Sequence, residues 1–141
     1  MRSETKKRLG VIAVLAGLAT ALAPVSGAGA ADAQARGACR VTAWGYTGYY
    51  KCGTDLRAGY IDWDNDGTVD EVFVIAPDRT IWHTWAAAGG WQQMPGNGHA
   101  DDMLGANTKV PRCVAVYVNQ GFHYWQNCYF NGHWHRWTTA G

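Results

Sequence analysis

Residues 62–85 read DWDNDGTVDEVFVIAPDRTIWHTW, and this stretch decides the fold. Two runs in it, Glu71–Ile75 and Thr80–Trp85, are rich in the β-branched and aromatic residues that favour strands. The four residues between them, Ala76-Pro77-Asp78-Arg79, place Pro second in a tight turn. The sequence therefore predicts an antiparallel hairpin that directly follows an acidic loop.

The rest of the chain repeats this pattern, because Gly recurs every few residues between runs of β-branched and aromatic residues. Asn131-Gly132, between two aromatic runs, is the strongest short hairpin signal. Asp101–Ala106 is the one segment that could start a helix, but it is short and contains Gly. We expect an all-β fold of about nine short antiparallel strands. They are Val41–Trp44, Tyr49–Cys52, Gly59–Asp62, Glu71–Ile75, Thr80–Trp85, Trp91–Met94, Cys113–Val118, Phe122–Cys128 and His133–Trp137.

The first thirty residues have the three-part layout of a secretory signal peptide. A basic start precedes the uncharged apolar run Leu9–Ala23, which is shorter than the roughly twenty residues of a membrane-spanning helix. Small residues follow Pro24, and cleavage is expected after Ala30 or Ala33. We expect a signal peptide over residues 1–30, a flexible lead-in over 31–38, and a single small β domain over 39–141. The mature protein should be secreted and carry no membrane span.

Loss of residues 1–30 changes the charge balance of the chain. It removes four of the 12 Lys and Arg and one of the 11 Asp and Glu, leaving 8 basic against 10 acidic residues and a net charge of −2 with His neutral. Nucleic-acid-binding proteins normally have a basic excess. The composition therefore argues against a nucleic-acid partner.

An even number of cysteines in a small exported domain predicts disulfides. The 4 Cys allow three pairings, and spacing favours Cys39–Cys52 with Cys113–Cys128. Each pair brackets a stretch whose residues alternate as in a β-hairpin. A turn at Gly45-Tyr46 would place Cys39 directly opposite Cys52, and a turn at Gln120-Gly121 would place Cys113 directly opposite Cys128. Zinc is the alternative, but it favours C-x-x-C pairs, which are missing here.

The acidic loop has the spacing of a calcium site. Acids occupy loop positions 1, 3, 5 and 9, Gly67 at position 6 permits a sharp bend, and position 7 offers a backbone carbonyl. The expected ligands are Asp62, Asp64, Asp66, Thr68 and Asp70. An EF-hand would need Glu at position 12, where this chain has Phe73 within a strand-like run. A solvated acidic turn is the alternative.

With a strand on each side, the loop resembles the D-x-D-x-D-G-x-x-D calcium loops of FG-GAP and VCBS repeats over residues 58–85. That resemblance implies a calcium ion between two strands of a propeller blade. A weak repeat lies 31 residues further on, but Gln93, Pro95 and Asn97 replace three of the acids. We therefore expect no second calcium site.

Residues 72–96, VFVIAPDRTIWHTWAAAGGWQQMPG, resemble a blade of the tectonin-like and fucose-binding propeller lectins. The match weakens at Gln92-Gln93-Met94, and a looser copy over Val114–Trp137 lacks the Asp of the inter-strand turn. The resemblance implies two or so blade-like repeats. It also implies possible self-association, because two-blade lectins complete a ring by trimerising.

Aromatic content points to a binding surface. All 8 Trp and 7 Tyr lie beyond residue 40, more large rings than a core of this size hides. Flat indole faces suit sugar rings, and His83, Gln92, Gln126 and Asn127 could fix hydroxyl groups. Alternation places Ile81, His83 and Trp85 on one face of their strand and Trp82 and Thr84 on the other. The candidate carbohydrate-binding residues are Trp82, His83, Trp85, Trp91, Trp125, Trp134 and Trp137.

Two other functions compete with a lectin-like module. Exposed Trp and Tyr also suit the surface of another exported protein, as in an interaction or inhibitor protein. A small His-dependent hydrolase would use His83, His99, His123, His133 or His135. Glu71 is the only Glu beyond the signal peptide, which disfavours a glycosidase that needs paired carboxylates. No Ser lies beyond the signal peptide, which disfavours catalysis by a serine nucleophile. We expect a non-catalytic protein.

Overall fold

The computed structural model describes residues 37–118 and 123–140, so the predicted signal peptide and residues 31–36 of the lead-in lie outside them. The fold is nearly all β, as the sequence predicts, with one 3₁₀ turn at Leu56–Gly59. No helix in the described part is long and apolar enough to cross a membrane. The strands are β1 (Ala38–Ala43), β2 (Tyr46–Lys51), β3 (Tyr60–Ile61), β4 (Glu71–Ile75), β5 (Ile81–Trp85), β6 (Gln92–Gln93), β7 (Asp102–Asn107), β8 (Arg112–Val118), β9 (His123–Phe130), β10 (His133–Trp134) and β11 (Thr138–Thr139).

The strands form three antiparallel sheets. Strands β1 and β2 make a separate hairpin, and β3-β4-β5-β6 form a second sheet in sequence order. The third sheet has the order β10-β9-β8-β7, with β11 also paired to β9. The predicted hairpin of Glu71–Ile75 with the next strand is confirmed, in the register Phe73 opposite His83.

The first hairpin turns one residue earlier than the sequence predicts. Trp44 and Gly45 are its central residues, with φ of 47° and 81°, and both positive values are what a type I′ turn requires. Cys39 consequently pairs with Tyr50 rather than lying opposite Cys52. The Cys39–Cys52 disulfide still forms, because Cys52 directly follows β2 and donates its N–H to the carbonyl of Gly37.

The second predicted disulfide and the late hairpin are also confirmed. Cys113 and Cys128 face each other across β8 and β9 and are bonded. The turn predicted at Gln120-Gly121 lies outside the described residues. Asn131 and Gly132 have φ of 52° and 83°, and they join β9 to β10 in a type I′ turn.

The weak helical signal at Asp101–Ala106 does not produce a helix, because Asp102–Asn107 is the strand β7, which is absent from the predicted strands. Met103 is 3% exposed in the core, whereas Leu104 beside it is 42% exposed. The pairing with β8 shifts register between Met103 and Gly105, and Gly105 has a φ of 134° that suits the bulge. Pairing with a long central strand thus overrides a weak local helical preference.

Strand β4 is buried on both faces, which explains why the run VFVI is continuously apolar rather than alternating. Phe73 and Ile75 belong to the main core between the two larger sheets. Val72 and Val74 face the other way and pack with Val41 of the first hairpin. The four-stranded sheet is therefore the middle of three layers.

Candidate functional site

The acidic loop leaves β3 and enters β4, and it is ordered by its own carboxylates. Asp62 accepts hydrogen bonds from the backbone N–H groups of Asp66 and Gly67, at 3.2 Å and 2.8 Å. Gly67 has a φ of 91°, a conformation that the Cβ of any other residue disfavours. Asp66 in turn accepts from the N–H of Thr68 at 2.7 Å. The bend predicted at Gly67 is present.

Three of the predicted calcium ligands converge. Carboxylate oxygens of Asp62, Asp64 and Asp70 all lie within 4.8 Å of one another, whereas Asp66 is not part of this group. Burial is the largest single cause and raises the pKa of Asp62, but hydrogen bonds, led by those from the backbone N–H groups of Gly67, Asp66 and Asn65, together outweigh it, so the net pKa is lowered. An ionised oxygen cluster of this kind suits a hard cation such as Ca²⁺ in its donor chemistry.

Trp63 links this loop to the interior. In sequence it lies between the half-buried Asp62 and the exposed Asp64, yet Trp63 is only 6% exposed. Its backbone N–H donates to Asp70 Oδ2 at 2.7 Å, and its indole Nε1 donates to Glu71 Oε2 at 2.8 Å. The ring meets Phe73 edge-on at 6.3 Å. Trp63 therefore connects the backbone of the acidic loop directly to the main core.

Glu71 and His83 form a largely buried pair beside Trp63. Glu71 Oε1 lies 2.5 Å from His83 Nδ1, and the imidazole is 5% exposed and stacks on Phe73 at 5.4 Å. Because a carboxylate only accepts hydrogen bonds, Nδ1 carries the proton that lies between them. In the neutral ring, Nε2 is then an acceptor, and His83 lines an open cleft.

This cleft, of about 710 Å³, lies between the acidic loop, β5–β6 and the β9–β10 hairpin. We call it the aromatic cleft. Trp134 meets Trp63 at 6.1 Å, Tyr129 at 5.5 Å and His83 at 6.2 Å between ring centroids. The aromatic lining residues are Trp63, Trp85, Tyr129 and Trp134, and the polar ones are Asp70, Glu71, His83, Gln92, Gln93, Arg112 and His133.

The seven predicted carbohydrate-binding residues divide among three places. His83, Trp85 and Trp134 meet in the aromatic cleft. Trp125 and Trp137 line a second cleft of about 570 Å³, and Trp137 is also 9% exposed in the core.

Trp82 and Trp91 lie on the opposite face of the middle sheet, against the first hairpin. The Nε1 of Trp91 donates to the carbonyl of Tyr46 at 3.2 Å, and its ring lies over Gly48. A Cβ on Gly48 would come within 2.7 Å of this indole. These two rings pack against the first hairpin. Trp82 lies on the face of β5 opposite His83 and Trp85, as alternation predicts.

Asn127, expected among the groups that fix sugar hydroxyls, is fully buried instead. Its amide donates to the carbonyls of Pro95 and His135, and its oxygen accepts from the N–H of His135. It joins β9 to the segment after β10. The alternation of β9 did not reveal this, because hydrogen bonding to a distant loop leaves no local sequence signal.

Among the residues of the aromatic cleft that sequence reasoning missed are Trp63, Glu71, Tyr129 and Arg112. Trp63 could have been found, since an indole is apolar and unusual within a solvated acidic loop. Glu71 stood out as the single Glu beyond residue 30, but its pairing with His83 follows from the β4–β5 register. Tyr129 and Arg112 reach the cleft from another sheet and had no local signal.

A scan of the chain against protein-family models gave no match, and searches against curated proteins and solved structures gave none.

Proposed function

We propose that this protein is a secreted, calcium-stabilised, non-catalytic carbohydrate-binding module whose binding site is the aromatic cleft. The observation that carries the proposal is the convergence of His83, Trp85 and Trp134 in one open cleft with the amide side chains of Gln92 and Gln93. Binding sites of this kind combine apolar rings with a few oriented polar groups.

The chemistry of the cleft suits a sugar. Indole faces offer apolar surface to the C–H faces of a pyranose ring, while hydroxyl groups need donors and acceptors at the rim. His83 is held by Glu71 and presents Nε2 as an acceptor. The exposed Gln93 amide supplies two donors and an acceptor. The amide of Gln92 donates one N–H to the carbonyl of Ala88 at 3.1 Å, which leaves its other N–H and its oxygen for a ligand.

Calcium would stabilise the acidic loop that borders the aromatic cleft. Asp70 belongs to the carboxylate group of the loop and also lines the cleft. A cation held by Asp62, Asp64 and Asp70 would relieve their mutual repulsion and fix the backbone that carries Trp63. Secretion agrees with the predicted signal peptide and with two disulfides, which persist in oxidising compartments.

The engagement of the carboxylates favours binding over catalysis. Glycoside hydrolysis requires two carboxyl groups free to act on opposite sides of the scissile bond. Both oxygens of Glu71 are occupied, by Trp63 and His83, and Asp70 accepts from the backbone of Trp63.

Binding of a glycan array in calcium, followed by quenching of Trp fluorescence with each hit, tests the proposal. Trp85 suits substitution because it lines the cleft without belonging to either core cluster. Trp85→Ala should abolish binding with little loss of stability. Trp44→Ala, on the exposed tip of the first hairpin, is the matched control and should bind normally. An array without hits in calcium would refute the carbohydrate function.

A protein partner is the second candidate, and the first hairpin favours it. Trp44 and Tyr49 are 38% and 42% exposed on a disulfide-braced hairpin, and aromatic rings on a rigid element are typical of interface anchors. The partner could be another exported protein or a second copy of this chain. The mass in solution of the unmodified protein and of Trp44→Ala separates self-association from a foreign partner.

A further inference from the structure

Arg112 occupies a distinctive position at the edge of the aromatic cleft. It is the first residue of β8 and shares a face with Val114 and Val116, which are buried in the main core. Where the core ends, Arg112 is exposed and lines the cleft. Its guanidinium carbon lies 5.5 Å from the centre of the Trp63 ring, so the side chain rests on an indole face.

The negative charges of the cleft are already engaged. Glu71 accepts from Trp63 and His83, and Asp70 accepts from the Trp63 backbone and lies among the carboxylates of the acidic loop. Among the described residues, the ion pairs join Arg79 to Asp101 and His83 to Glu71, and none includes Arg112. The guanidinium is therefore a cation in the cleft without a carboxylate partner within 4.0 Å in the described part of the chain.

A guanidinium that has no carboxylate partner favours an anionic ligand. Its N–H groups form a planar fork that matches a carboxylate or sulfate, and such charge-assisted hydrogen bonds are roughly twice as strong as neutral ones. The guanidinium carbon lies over the Trp63 ring, and the exposed side chain can turn its N–H groups towards a ligand in the cleft.

We propose that the cleft selects acidic saccharides and that Arg112 binds the anionic group of the sugar, a carboxylate or a sulfate ester. This rests on the carbohydrate-binding function proposed above and adds the class of ligand. The sugar ring lies on Trp85 and Trp134, and the anionic substituent points to the fork of Arg112. A neutral sugar gains the ring contacts without the charged one and binds more weakly.

Matched pairs of ligands test this. The protein in calcium is titrated with oligosaccharides ending in glucose or glucuronic acid, and in galactose or galactose 6-sulfate. We expect the acidic member to bind about tenfold or more tightly, as a charge-assisted hydrogen bond implies. The tighter acid of the two identifies carboxylate or sulfate as the preferred group.

Arg112 variants assign the effect to this residue. Arg112→Gln should weaken the acidic ligands by about tenfold and the neutral ones by less than about twofold. Arg112→Lys should recover only part of the preference, because it keeps the charge and loses the fork. Arg40→Gln, an exposed Arg on β1 away from the cleft, should leave both affinities unchanged. Thermal melting verifies that each variant is folded.

The outcomes separate this inference from the function on which it rests. Neutral ligands that bind as tightly as their acidic partners overturn the inference and leave the carbohydrate function standing. Equal weakening of both classes by Arg112→Gln overturns it too, since Arg112 would then only support Trp63. If neither class binds the unmodified protein, the proposed function fails, and this inference fails with it.

Discussion

Glu71 Oε1 lies 2.5 Å from Nδ1 of His83, at the interior edge of a cleft whose opposite wall, formed by β9 and β10, comes from a different sheet. The second oxygen of the same carboxylate accepts from the indole of Trp63. One side chain thus joins the acidic loop, β4 and β5. The wall of the cleft and the loop behind it form a single hydrogen-bonded unit, so changes in either affect both.

The Glu71 pair should contribute measurably to stability. Glu71→Ala leaves the Nε1 of Trp63 and the Nδ1 of His83 without their acceptor, and each unpaired buried donor costs about 1–3 kcal/mol. We expect a loss of about 2–4 kcal/mol in the free energy of unfolding, measured by urea denaturation.

Glu71→Gln is the matched variant, because the amide keeps the shape and one acceptor oxygen. It can accept from only one of the two donors, so its loss of stability should fall between those of the unmodified protein and Glu71→Ala. If Glu71→Ala were as stable as the unmodified protein, Glu71 would not hold these donors as described.

Calcium should raise the melting temperature. A cation bound only by the folded state adds about 2.7 kcal/mol at one hundred times its dissociation constant. For a domain of this size that corresponds to a rise of about 10 °C or more relative to a chelator. Asp64→Asn removes one of the three converging carboxylates and should abolish most of the rise. The measurement is differential scanning calorimetry with and without calcium.

Two controls accompany the calcium measurement. Asp78→Asn removes an acid outside the loop and should keep the full response to calcium. Magnesium, which requires a tighter octahedral shell and loses its water reluctantly, should give a smaller rise than calcium. An identical melting temperature in calcium and in chelator would exclude calcium as the stabilising ion.

Much of the local structure could be predicted from the sequence. Turn chemistry located the hairpins at Pro77-Asp78 and Asn131-Gly132, and strand composition defined β4 to the residue. Both disulfide pairings followed from hairpin spacing. These features depend on neighbours within about fifteen residues, where pattern and propensity carry the information.

The site itself could be predicted only in part. Alternation grouped His83 with Trp85, but Trp134 joins them from another sheet, 49 positions after Trp85 in the numbering. Trp91 is predicted from the sequence to bind ligand, yet its indole donates a hydrogen bond to the first hairpin. The stacking of the sheets decides whether an aromatic ring packs in the interior or lines a binding site. A short stretch of sequence carries no information about that stacking.

Stability at low pH should depend on Asp78 in the β4–β5 turn. Hydrogen bonds from the Thr80 hydroxyl, and then from the Thr80 backbone N–H, lower the pKa of Asp78, with His99 adding a smaller effect. Because the folded pKa is below the unfolded one, the stabilisation is complete above about pH 4 and disappears as the pH falls through the folded pKa. The unmodified protein should therefore exceed Asp78→Asn in stability at pH 7, and the difference should close towards pH 2.

The Thr80 hydroxyl is the largest cause of this shift, so it provides the control. Thr80→Val removes that donor and should return the pKa of Asp78 towards its ordinary value, as followed by carboxyl NMR titration. A stability difference between the unmodified protein and Asp78→Asn that stays constant from pH 7 to pH 2 would contradict this account.

Gly59, at the end of the 3₁₀ turn, should tolerate no side chain. A Cβ there would clash with the backbone carbonyl oxygen of Phe73, a fully buried residue of β4, and backbone cannot move aside cheaply. Gly59→Ala should cost about 3 kcal/mol or more in unfolding free energy, the upper range for overpacking. Gly48→Ala is the graded comparison, because the obstacle there is the indole of Trp91, a side chain that can shift. Urea denaturation should rank Gly59→Ala well below Gly48→Ala, and the reverse order would show that β4 and the 3₁₀ turn are not in this close contact.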